Sequence, residues 1–231
     1  MVGTGPCDQE GDVNVQEAAL RRGVLEELEW EPRIGSSAVD VGVAAHGVVT
    51  LTGVVKSYAE KVAAERAAKR VRGVHAVVND IDVKLPMSHE RNDADIADAV
   101  VRALEWNVLV PHDTIEARVS GGWVRLEGAV DWNYHRTAAE EAVQQLAGVK
   151  GVTNLITVKP RVTIHDVRER IEAALRRNAE LEAHRIKVEA QDGKVILRGH
   201  VHSWGERAAA EAAAWAAPGV AAVEDELEVE S

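Results

Sequence analysis

In the middle of the chain, Ile96, Ala99, Val100, Ala103 and Leu104 recur at the three-and-four spacing of one helix face, which predicts an amphipathic helix. Asn92 and Asp93 stand where a cap and an acidic first turn are wanted. After Pro111 the period changes. Ile115, Ala117 and Val119 alternate with Glu116 and Arg118, the pattern of a half-buried strand. Gly121-Gly122 turns the chain, and Val124 and Leu126 then alternate with Trp123, Arg125 and Glu127, completing a β-hairpin. A second helix is expected from about Tyr134 to Leu146, stopped by Gly148. A third strand follows with Val152, Ile156 and Val158 on one face. The order is helix, strand, strand, helix, strand, with a right-handed crossover making the last two strands parallel.

The same pattern occurs three times. Gly53, Gly128 and Gly199 each follow a hydrophobic alternation and are expected to end the middle strand, where the chain bends toward the second helix. Gly47, Gly122 and Gly193 precede them by six residues, and Gly73, Gly148 and Gly219 follow by twenty. The period overrides a one- or two-domain reading of the length. It divides the chain into a disordered tail (1–14) and three modules (15–85, 92–160 and 164–231). Asp192-Gly193 is a strong hairpin turn signal, and Ser57…Glu60 and Ser203…Glu206 are capping boxes for the second helix. The middle copy lacks the box, with Trp132-Asn133-Tyr134-His135 there. The linkers are short, Pro86–Arg91 and Pro160–Arg161, and the near absence of slack at the second implies fixed packing between the second and third modules.

Composition narrows the function. There is no Phe, the apolar residues are mostly small, and the net charge is −11, which weighs against nucleic acid as a partner. Cys7 is alone, so an intramolecular disulfide is excluded. No apolar run suggests an export signal or a transmembrane segment, and a cytoplasmic location is expected.

The modules resemble the BON domain, a bacterial module named after an osmotically induced periplasmic protein and nodulation proteins. The resemblance rests on the hairpin glycine, the hydrophobic-x-Gly of strand two, and a Gly-Val-x-x-Val-x-Asn-x-hydrophobic run. That run reads Gly73-Val74-His75-Ala76-Val77-Val78-Asn79-Asp80-Ile81 and Gly148-Val149-Lys150-Gly151-Val152-Thr153-Asn154-Leu155-Ile156. The third copy departs, with Asp225 in place of Asn. The resemblance implies an α+β fold of three αββαβ modules, each a three-stranded mixed sheet with two helices on one face. It also implies a non-enzymatic role, binding a phospholipid surface or another ligand under osmotic or general stress.

No catalytic constellation or cofactor site appears. His200-Val201-His202 lacks further ligands nearby, Gly121-Gly122 precedes a strand rather than a helix, and no nucleophile motif occurs. Trp30 and Trp106, each two residues after a stripe leucine, are expected to cap the small cores. Two surfaces are candidates for binding. Lys61, Arg66, Lys69, Arg70 and Arg72 fall opposite Ala63, Ala64, Ala67 and Val71 on a helical wheel. They would give weak, salt-sensitive binding to anionic phospholipid. Alternatively, the alternation that turns Val124 and Leu126 inward sends Trp123, Arg125 and Leu155 to the open sheet face of the second module. An apolar group there suits a neighbouring module or a protein partner, the chain then serving as an adaptor or self-associating scaffold. The corresponding face of the third module (Lys194, Ile196, Arg198, Glu224, Glu226 and Glu228) is mostly charged.

Overall fold

A computed structural model describes residues 8–34, 39–159, 167–178 and 183–230. The expected linker at Pro160–Arg161 and the start of the third module at 164 lie outside them. The order of elements is the repeat itself: α1 (Asp8–Trp30), β1 (Val39–Ala44), β2 (Val48–Val55), α2 (Tyr58–Arg70) and β3 (Ala76–Val83). The second module follows with α3 (Asp93–Trp106), β4 (Ile115–Ser120), β5 (Trp123–Val130), α4 (Asn133–Gln144) and β6 (Gly151–Val158). The third has α5 (Val167–Arg177), β7 (Ile186–Gln191), β8 (Lys194–Val201), α6 (Trp204–Trp215) and β9 (Ala222–Val229). Helix α1 begins at Asp8, so the tail expected over 1–14 is helical from that residue on.

Each sheet has its second strand in the centre, antiparallel to the first and parallel to the third. The alternation works as anticipated. Val49 and Leu51, Val124 and Leu126, and Val195 and Leu197 are buried under the helices of their modules. Val41 and Val188 are buried beside them, and Ala117 packs on the same side. Alanines 63, 64, 67 and 68 let α2 lie close on its sheet, which is how a core without phenylalanine is filled.

Caps form where the side chains allow. Asn92 Oδ1 accepts from the Asp95 amide, and the Ser57 and Ser203 hydroxyls accept from Glu60 and Glu206. Trp132 offers no such bond to α4. The strand glycines do not end the middle strand, because β2, β5 and β8 each run two residues past them. Their role is clearance: a Cβ on Gly128 would strike the Thr114 carbonyl oxygen, and one on Gly199 that of Arg185. The hairpin glycine is tied to the third strand instead, with the Gly47, Gly122 and Gly193 carbonyls accepting from His75, Lys150 and Ala221.

Trp30 and Trp106 do not cap the cores. They are 84% and 88% exposed, because a residue two past a stripe leucine lies well round the helix from it.

Candidate functional site

The second helices join the modules into a closed circle. Tyr58, five residues after Gly53, packs on the core of the second module beside the Val152 backbone. Arg66 of α2 lies 3.8 Å from Glu141 of α4. Trp215 of α6 also packs on the second core, with the Arg136 guanidinium 5.0 Å from its ring centroid. Trp204, five residues after Gly199, completes the circle by packing on the first core. Its Nε1 donates to the Val74 carbonyl at 2.7 Å, and Lys69 and Arg207 lie about its ring at 5.2 and 4.9 Å. At each junction an aromatic ring of one module packs on the core of another. At the second junction it comes from the end of the opposite helix, because Asn133 occupies the position of Tyr58 and Trp204.

This arrangement takes up most of the basic face. Lys61 Nζ donates to the Ile81 carbonyl, Lys69 pairs with Glu65 at 2.7 Å, and Arg70 pairs with Glu27 and Glu31. Arg66, Lys69 and Arg70 line a groove against Trp204 and Arg207 of the third module. Arg72 lies apart, on a cleft of the first module. Burial pushes the Glu65 carboxyl up. Hydrogen bonds from Lys69 and Asn79, with the Lys69 and Lys61 charges, outweigh this and leave it below its usual value.

The asparagine of the repeat has a local structural use. Asn154 Nδ2 donates to the Arg136 carbonyl and to Glu140, while its Oδ1 accepts from the Ile156 amide. Asn79 makes the same set with Lys61, Glu65 and Ile81. Asp225 keeps only the accepting half, toward Leu227, and its charge is met by Arg207 Nε at 2.6 Å.

The open sheet face of the second module carries the residues expected there. The Trp123 ring lies over Gly151, its cross-strand partner, yet remains 57% exposed, and Leu155 is 45% exposed. Arg125 and Arg118, paired across the hairpin, both approach Glu127. Among the described residues no neighbouring module covers Trp123, so the expectation of an inter-module contact there is corrected: the modules meet through their second helices. On the third module the equivalent face is satisfied internally, Lys194 with Glu224 and Arg198 with Glu226 and Glu189.

A second apolar surface was missed from the sequence. Trp106 ends α3, and the 95% exposed Val108 stands in the α3–β4 connection next to Leu109. Leu109 lines a groove with Trp132, Tyr134 and Trp215. Trp132 and Tyr134 stack with centroids 6.5 Å apart, and the His135 ring meets Tyr134 edge-on at 4.2 Å. Burial holds the His135 pKa below its usual value, against an opposing pull from Asp131. The missing capping serine and the Val-Leu run were the visible signals.

A family model for the BON domain matches residues 16–84, 92–160 and 164–231. The chain belongs to the BON-domain family. It is a tandem of three such domains, and the sheets and helices described above are its three modules. No curated protein matches the chain. Two solved structures of CdsD, titled a structural protein of the type III secretion system of Chlamydia trachomatis, are similar to it. The first, a C-terminal domain, is 12% identical, covering 92% of this chain and 98% of that one with a TM-score of 0.26. The second is 13% identical, covering 92% of each with a TM-score of 0.25. Scores this low carry no argument about arrangement or role. Among the described residues no helix is long and apolar enough to cross a membrane, and no cluster of three or more His, Cys, Asp or Glu could hold a metal ion.

Proposed function

We propose that this triple-BON chain is a non-enzymatic, stress-associated binding protein that attaches reversibly to phospholipid surfaces through the apolar edge of its second module. The observation that carries this is the exposed run Trp106, Val108 and Leu109, whose Leu109 shares a groove with Trp132 and Tyr134, all apolar side chains left in water by a fold that buries its other stripes. Tryptophan and tyrosine are suited to the headgroup level, and short aliphatic side chains beside them reach the acyl boundary. The basic face of α2 supports attachment less well, since four of its five cations already have partners within the chain.

Full burial of a Val or Leu side chain is worth about 1.5–3 kcal/mol, so partial insertion of this edge gives weak, reversible binding. The net charge of −11 favours zwitterionic over anionic lipid. Co-sedimentation with phosphatidylcholine vesicles tests this: the wild-type chain should pellet, and a W106A/V108S variant should stay in the supernatant. Equal pelleting of the two would reject the site. A second reading, a protein adaptor docking through Trp123, Leu155 and Arg125, is favoured by the uncovered Trp123 ring. Cytoplasmic residence and induction by osmotic or general stress belong to the same proposal and are tested by fractionation and by protein level after osmotic upshift.

A further inference from the structure

A cleft of about 750 Å³ opens in the first module between α1 and the β1–β2 turn. Its walls include Leu20, Val43 and Val71, with His46, Arg72 and His75 among its polar groups. The second module shows what closes this place. There Asp93, at the start of α3, accepts from both turn amides, Gly121 N at 2.8 Å and Gly122 N at 2.9 Å. The turn of the first module, one residue longer and a 3-10 turn over Ala45–Gly47, also carries two left-handed residues: φ is 62° at His46 and 67° at Gly47, against 61° and 84° at Gly121 and Gly122. Its counterpart of Asp93 is Glu17, each lying eleven residues before a stripe leucine, Leu28 and Leu104. Glu17 lines the cleft but makes no hydrogen bond to the turn among the described residues. The acidic side chain that closes this corner of the second module thus has no equivalent contact in the first, where the cleft stays open.

Two further groups bound the cleft. His75 Nδ1 lies 2.8 Å from the His46 carbonyl, which assigns its proton to that nitrogen, and the buried Nε2 has no partner. Arg72 lines the cleft without an ion pair among the described residues, the one member of the basic set so placed. Among the described residues Glu17 is the one acidic lining residue, against Arg72 and two histidines.

We infer that this cleft binds a small amphipathic carboxylic acid, its chain on the Leu20–Val43–Val71 wall and its head group between Arg72 and His75. The head group gives up its proton and pairs with Arg72, a charge-assisted contact, with the His75 ring beside it. The site is separate from the apolar edge of the second module, so it stands or falls independently of vesicle binding.

Decanoate is the probe, titrated below its micelle concentration into the full-length ¹⁵N-labelled chain and followed by amide shifts. Saturable shifts are expected at Leu20, Gly47 and His75, with 1-decanol binding more weakly. R72E, which removes the charge-assisted contact, and A45W, which places an indole on an exposed lining position, should each weaken binding about tenfold or more while leaving the rest of the spectrum unchanged. The absence of saturable shifts in the cleft, equal affinity for 1-decanol, or wild-type binding by both variants would overturn the assignment.

Discussion

Closure of the circle depends most on Trp204, and replacing it by alanine gives a perturbation whose size follows from its contacts. The side chain is half-buried against the first core, so about 100 Å² of apolar surface leaves contact, worth about 2.5 kcal/mol at 25 cal/mol per Å². The bond from Nε1 to the Val74 carbonyl contributes about 1 kcal/mol, and the Lys69 and Arg207 contacts about 0.5–1 kcal/mol each at this exposure. These terms overlap, so W204A should cost about 3 kcal/mol. W204F keeps most of the packing and should lose about 1–2 kcal/mol, mainly from the carbonyl left without its donor. Ser203 and Glu206 still cap α6 in both variants, so the third module itself stays folded. Urea unfolding of the full chain, read by circular dichroism, gives the energies, and small-angle scattering gives the radius of gyration. The expected result is an early transition and an expanded native state for W204A, with W204F between it and wild type. A W204A chain as stable and compact as wild type would refute the reasoning.

Other consequences follow from single contacts. G128A should destabilise the second module by about 3 kcal/mol or more, because the new Cβ meets the Thr114 carbonyl in a left-handed conformation; thermal melting checks it. Tyr58 should ionise above the usual 10, since burial raises its pKa more than the Val152 backbone lowers it, with Glu140 and Glu65 adding to the rise. Its contribution to the first junction is therefore complete below pH 10 and lost as pH climbs through the raised value; phenolate absorbance and Y58F stability against pH test this. N154D removes two donated bonds and places a charge beside Glu140, so about 2 kcal/mol or more should be lost in urea unfolding at neutral pH. A partial return of stability is expected on acidification. Docking through the Trp123 face is tested with W123A, which should leave the fold intact and reduce capture of any protein partner that wild type retains.

The repeat made the modules legible in the sequence because three copies reinforce signals that are weak singly. Alternation located every sheet's inner face, and the hairpin glycines and capping boxes located the turns and helix starts. What stayed hidden was tertiary. Gly128 looks like a strand terminator because the carbonyl it avoids belongs to Thr114, on a neighbouring segment. The basic wheel of α2 reads as an exposed face because its partners, Glu27, Glu141 and Trp204, come from another helix or another module. Trp30 and Trp106 followed the local rule that tryptophan seeks cover, while the helix geometry turned them out. Trp123 and Leu155 were placed correctly because a period of two needs no knowledge of the neighbours.

Attachment through the second module's edge is tested most directly by a fluorescent reporter at Val108. In a C7S background, single cysteines introduced by V108C, K61C and K194C are each labelled with nitrobenzoxadiazole and mixed with phosphatidylcholine vesicles. The account predicts a blue shift and a rise in emission at position 108, with positions 61 and 194 unchanged. A shift at position 61 with none at 108 would contradict it.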